Sequence, residues 1–261
     1  MNGDPGSAVK AGKIAGRTTH SISKKKLVRG LLRRVGYNIV RFSDDFSDQQ
    51  VRFLEQASID LLLDVGANEG QYGQRMRALG YHGEIVSYEP GSVAFSRLRA
   101  AIRNDDRWSA HRLAVGATSG SITLNVSANS VSSSILAVGR EHLAAAPESA
   151  TVSAETVQME PLDALLPPGG ARSAWLKIDV QGAEQQVLDG AKDVLGSRIA
   201  VLQLELSLRE LYDGQVLYQE LLGKLARLGF GLAAIEPGFQ DPKTGRLLQF
   251  DGLLLHESLA A

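Results

Sequence analysis

The sequence predicts an α/β fold: a Rossmann-like, mostly parallel sheet flanked by helices, with an antiparallel last strand. Three observations predict it. Residues 61–73 read LLLDVGANEGQYG, a short apolar run that stops at glycines and passes directly into a helical pattern. Beyond it, apolar runs alternate with helical stretches, the pattern of parallel strands joined by crossover helices. Acids stand at the ends of four of those runs: Asp64, Glu89, Asp179 and Glu205. In an open α/β sheet the ligand lies beyond the carboxyl ends of the strands, where such acids gather.

The chain has 261 residues, 44% hydrophobic and 22% charged, which suits one α/β domain with an appendage. A net charge of −1 gives no global attraction to nucleic acid. The absence of cysteine excludes disulfides, thiolate catalysis and Cys–zinc sites, and fits a reducing compartment. No apolar run reaches membrane-spanning length and the first residues lack a signal-peptide core, so a cytoplasmic protein is expected. Residues 1–23, rich in Gly, Ser, Thr and Ala, read as a disordered tail. Residues 24–57 form a basic helical extension and linker. Within 24–41 lie Lys24, Lys25, Lys26, Arg29, Arg33, Arg34 and Arg41 without an acid, and Leu27, Leu31 and Leu32 recur at helical spacing. Such a segment is either a helix docked on the domain or a peripheral contact with the inner face of a membrane. An acidic linker over 44–50 and a short helix over 51–57 lead into the domain, 58–261.

Within the domain, 59–65 is the first strand and 71–79 the first helix. Strand 85–88 and helix 93–102 follow, then a strand over 110–115. Residues 121–126 alternate as a hairpin partner. The serine-rich stretch 128–149 reads as a lid or a polar loop, and its His142 as a packing residue or a base. A strand over 152–159, a short helix over 161–166 and a turn at 167–170 come next. Strand 175–178 ends at Asp179, and Gln181, Gly182 and Glu184 open a helix over 183–195. Strand 199–204, an amphipathic helix over 217–228 and strands 230–235 and 247–255 complete the chain.

The glycines 66, 70 and 73 do not have the dinucleotide spacing. Asp64, two residues before the first, opposes a pyrophosphate but suits a cationic amino-acid head group, as in S-adenosylmethionine (SAM). Glu89, about twenty residues past the glycines by the usual motif spacing, suits ribose hydroxyls. DVGANEGQYG, SYEP, HRLAVGATSGSITLNV and WLKIDVQGAEQQVLDGA together resemble the FkbM-type SAM-dependent methyltransferases. The resemblance implies a class I methyltransferase fold and O-methylation of a sugar or polyketide-type hydroxyl. The donor-site candidates are Asp64, Gly66, Asn68, Gly70, Tyr72, Gly73, Glu89, Ser92, Ala114 and Val115. On the acceptor side stand Asp179, Glu205 and Glu184. In one mechanism Asp179 is the general base; in another Asp179 and Glu205 hold Mg²⁺, which acidifies the hydroxyl. Helix-start duties compete for Asp179 and Glu184. Tyr212 and Tyr218 are expected to shape acceptor choice. The resemblance implies a small-molecule or lipid-linked sugar as acceptor, with a deoxyhexose of a glycolipid foremost, the lipid being suggested by the basic segment. A SAM-binding module without catalysis is the rival of a different class.

Overall fold

β1 (Leu61–Val65) is buried along its whole length. It pairs in parallel with β2 (Glu84–Tyr88) on one side and β7 (Ala174–Ile178) on the other. Strands enclosed on both faces read as continuous apolar runs, which is why these segments were legible. The structure, a computed structural model, describes residues 46–166 and 173–259. The expected tail 1–23, the basic segment 24–41 and the turn at 167–170 lie outside the described residues.

Around β1 the main sheet has seven strands in the order β3-β2-β1-β7-β8-β10-β9. β3 is Trp108–His111, β8 is Ile199–Ser207, β9 is Phe230–Pro237 and β10 is Gln249–His256. β10 is antiparallel to both its neighbours, β8 and β9. β9 therefore runs with the rest, and β10 alone of the seven is reversed. This is the mostly parallel sheet with an antiparallel last strand that the sequence predicts.

Helices cover the sheet: α1 (Phe46–Gln56), α2 (Gln71–Ala78), α3 (Ser92–Ala101), α4 (Arg140–Ala145), α5 (Leu162–Leu165), α6 (Glu184–Asp189), α7 (Lys192–Ser197) and α8 (Tyr218–Arg227). α1 begins inside the expected linker. Phe46, Gln50 and Leu54 form its buried stripe, and Phe46 and Leu54 join the core of Leu62, Ile85 and Trp175. The other face of the sheet buries Leu63, Leu176, Leu202 and Leu204 against Val187, Leu195 and Leu221. Helices α1, α6, α7 and α8 are thus held by buried apolar residues rather than by propensity. No helix among the described residues is long and apolar enough to cross a membrane.

Three local expectations need correction. The strand expected over 110–115 is two: β3 ends the main sheet, and β4 (Ala114–Val115) pairs in parallel with β6 (Thr151–Glu160). β3 is the edge of the main sheet, so the chain finds its next backbone partners in a second, three-stranded sheet. β5 (Gly120–Ser127) is not a hairpin partner of the preceding strand; it pairs antiparallel with β6 across the whole serine-rich stretch. The helix expected over 183–195 breaks at Gly190. The Asp163 carboxylate accepts the backbone N–H of Asp193 (3.1 Å) and Val194 (3.0 Å), capping a new helix start.

Candidate active site

A cavity of about 670 Å³ opens at the carboxyl ends of β1, β2, β7 and β8 and is walled by the serine-rich stretch. One half is built from the turn after β1. Gly66 sits at φ +77°, and a Cβ there would overlap the carbonyl oxygen of Asp179. Only glycine accepts both demands, so the turn lies directly against the end of β7. Asn68, also left-handed at φ 47°, turns its N–H to Glu89 Oε2 (2.8 Å), while Gly91 N–H reaches Oε1 (2.7 Å). Burial pushes the Glu89 carboxyl up to about 7, against the pull of those two donors. Gly66, Asn68, Tyr72, Glu89, Ala114 and Val115 all line the cavity.

The remaining donor candidates lie elsewhere. Asp64 is fully buried and does not line the cavity. It faces Lys177 Nζ at 3.5 Å and accepts from Ser87 Oγ at 3.4 Å, so its cationic partner is a lysine of the chain rather than a ligand head group. Gly70 caps the start of α2 and packs on Leu98; Gly73 packs under the Trp108 ring. Ser92 gives its N–H and hydroxyl to Glu155 and also stands outside the lining.

The other half of the cavity is polar. Lys177 Nζ lies between Asp64 and Asp179 Oδ2, at 3.3 Å from the latter. Burial opposes its charge, but the Asp179 and Asp64 carboxylates outweigh it and hold the ammonium above its ordinary pKa. Gln181, at φ 56°, donates through one amide nitrogen to Asp179 Oδ1 (2.7 Å) and Glu205 Oε2 (3.0 Å). Its amide oxygen faces the Tyr212 hydroxyl at 2.7 Å, and its carbonyl accepts Ser134 Oγ at 2.7 Å. Gln249 Nε2 also donates to Glu205 Oε2, at 2.8 Å. Burial raises the Glu205 carboxyl well above its ordinary value, helped by the charges of Asp179, Glu184 and Asp251. Asp251 on β10, pushed up to about 6 chiefly by burial, lines the same end.

Asp179 and Glu205 are therefore brought together, and Glu184 is not. Its Oε1 accepts the N–H of Val180 (3.2 Å) and Gly182 (3.1 Å), and burial pushes its carboxyl up to about 7. It staples the turn before α6. Tyr218 packs edge-on to Phe250 and does not reach the cavity. His142 lines the cavity, wedged between Tyr212 and Phe239, with burial lowering its pKa. The stretch Asn129 to Ile135 forms a wall, pinned by Ser134 to Gln181 and by the Tyr212 hydroxyl to the carbonyl of Ser132 (3.1 Å).

The residues present do not fit the Mg²⁺ of the second mechanism. No group of three His, Cys, Asp or Glu residues among those described can hold a metal ion. The space between Asp179 and Glu205 is bridged by the Gln181 amide, and the Lys177 ammonium flanks it. The Lys177 ammonium supplies the positive charge beside Asp179, and the Gln181 amide occupies the space between the carboxylates with its hydrogen bonds.

Lys177, Gln181, Gln249 and Asp251 went unassigned at the sequence level. Lys177 and Gln181 had a signal, since both stand in the KIDVQG run that ends β7.

The chain is similar to known proteins. The profile of the methyltransferase FkbM domain matches residues 64–232, more than half of the chain. The 2-O-methyltransferase NoeI of Sinorhizobium fredii is 27% identical over 184 residues, 68% of this chain and 75% of that protein. Among solved structures, an S-adenosylmethionine-dependent methyltransferase from Mesorhizobium loti is 10% identical, with 82% of this chain and 99% of that one covered, at a TM-score of 0.45. An rRNA methylase from Streptococcus thermophilus gives 10%, 80%, 94% and 0.43. The fold rests on the strand order above rather than on these distant likenesses.

Proposed function

The chain belongs to the FkbM methyltransferase family, and from that premise we propose that it moves the methyl group of SAM to a sugar hydroxyl. The acceptor we favour is a deoxyhexose of a glycolipid or a related small molecule. The observation that carries the reading is one cavity with two chemically distinct halves. Glu89 and the glycine turn form one; Asp179 and Glu205, joined by Gln181, form the other. The NoeI likeness supports an O-methyl product.

In this reading Glu89 holds the ribose hydroxyls, and Ala114 and Val115 offer an apolar wall to the base. Tyr72 and the carbonyl edge of Gly66 face the amino-acid end, with Lys177 and Asp64 fixing the strand ends beneath. Asp179 takes the proton of the attacking hydroxyl. Lys177 and Gln181 hold that carboxylate in place, so alignment and proton removal come from groups fixed before substrate arrives. Seated on the rigid ends of β7 and β8, these groups keep a single geometry.

The test is methyl transfer from labelled SAM to a panel of glycosides. Asp179→Asn abolishes turnover and leaves SAM affinity within a few-fold. A collapse of SAM affinity in that variant would put Asp179 in the donor half instead. Excess EDTA leaves the rate unchanged, because amide and ammonium fill the metal's place; a rate lost to EDTA and restored by Mg²⁺ would contradict that.

A further inference from the structure

Two carboxylates in this cavity share one amide nitrogen. Asp179 Oδ1 and Glu205 Oε2 cannot lie farther apart than the 2.7 Å and 3.0 Å bonds of Gln181 Nε2 laid end to end. Asp179 Oδ2 faces Lys177, and Glu205 Oε2 accepts from both Gln181 and Gln249. Glu205 Oε1 has no hydrogen-bond partner among the described residues, although its residue lines the cavity. Proton removal needs one carboxylate. The second is held beside the first by the Gln181 amide and braced by Gln249, which leaves its other oxygen for a group of the substrate.

The support is built into the fold. Asp179 ends β7, Glu205 lies near the end of β8, and Gln249 opens the reversed β10, whose Asp251 pairs with Glu205 in the ladder. Gln181 accepts a left-handed backbone at φ 56°, and Tyr212 and Ser134 hold its amide and carbonyl oxygens. A strained non-glycine residue whose side-chain amide and backbone carbonyl are both engaged is a positioning device. The same Tyr212 and Ser134 tie the serine-rich wall to it, so the acceptor half closes around the two carboxylates.

Resting on the methyl-transfer reading, we propose that the acceptor is a vicinal diol. Asp179 takes the proton of the reacting hydroxyl and Glu205 holds the hydroxyl on the adjacent carbon. In the step, the acceptor oxygen–carbon bond forms as the sulfur–methyl bond breaks. The hydroxyl proton passes to Asp179, and neutral S-adenosylhomocysteine leaves. Glu205 is unchanged by the step; it is a specificity residue. A lone hydroxyl, as on many polyketides, leaves the cavity-facing Glu205 Oε1 without the substrate hydroxyl it is placed to accept, and a site built to bond a hydroxyl discriminates against an acceptor that lacks it.

The experiment compares methyl 6-deoxyhexosides with their monodeoxy analogues in the presence of labelled SAM, using the full chain. Removing the hydroxyl beside the methylated one lowers kcat/KM roughly 10- to 100-fold, mostly through KM, whereas removing a distant hydroxyl changes it little. Glu205→Gln, with SAM affinity retained, narrows the ratio between the intact and neighbour-deoxy acceptors. Equal kcat/KM for those two acceptors with the natural sequence overturns the diol proposal and leaves methyl transfer standing. SAM binding with no glycoside methylated at all overturns the sugar reading, and the diol proposal with it.

Discussion

Glu89 shows what a single buried carboxylate does here. Both its oxygens accept backbone N–H groups of turns that frame the cavity, yet burial still holds its pKa at about 7, above the ordinary 4.5. In the proposed reading ribose hydroxyls donate to the ionised form, so SAM favours that form and lowers the pKa on binding. The sign follows: below about pH 7 binding must expel a proton, and SAM affinity falls as pH falls, by up to about tenfold per unit; above it affinity is flat. Calorimetry across pH 5.5 to 8.5 (a window of roughly 3 units about that pKa) checks this. Glu89→Gln abolishes the slope, and Glu89→Ala weakens SAM by about 1.5–3 kcal/mol. A slope that survives in Glu89→Gln would assign it to another group. Asp64 carries a different lesson. A carboxylate two residues before a glycine turn suits a cationic ligand group, but the buried Lys177 on the adjacent strand stands beside it, at 3.5 Å. Cross-strand pairing of Asp64 with Lys177 is a register fact, and a single strand's sequence does not contain register.

At the scale of elements, α2 and β3 define each other. Gly73 lies in α2 under the Trp108 ring, and a Cβ there would overlap that ring. The indole is buried and fixed by its N–H to Ser87 Oγ at 3.0 Å. Gly73→Ala gains up to about 1 kcal/mol of helix propensity but forces this locked edge strand outward, at about 1–3 kcal/mol. The overlap wins because the ring has no free direction. Thermal unfolding of the variant shows a Tm lower by about 2–4 °C for each kcal/mol of net loss. An unchanged or raised Tm would mean that β3 yields freely. The broken helix α6–α7 is the complementary case. Its apolar pattern is continuous, and the interruption comes from Asp163, a residue far away in sequence that caps the second piece. Local periodicity does not register such a cap.

For the whole molecule, the sheet order turned scattered acids into one site. Alternating strands and helices made the parallel sheet readable, and with it the rule that ligands sit beyond the carboxyl ends of strands. That rule points to Glu89, Asp179 and Glu205, and all three line the cavity. It missed Gln249 and Asp251, because they open a strand rather than end one. The reversal of β10 brings its beginning to the same edge, with Asp251 opposite Glu205. It also misplaced Glu184, which follows the right strand but bends back to staple its own turn. Gln181 was hidden for another reason: its role depends on a left-handed backbone that nothing in its residue type announces. In the proposed reading the glycine turn, Glu89 and the β3–β4 edge form one donor pocket, and the role of the acceptor half depends on it. Calorimetric titration of the purified protein with SAM, with NADH as the control, tests it most directly. One equivalent of SAM binding at micromolar affinity, weakened in Glu89→Ala and with no heat from NADH, is the predicted result. Absence of SAM binding, or NADH binding in its place, would contradict it.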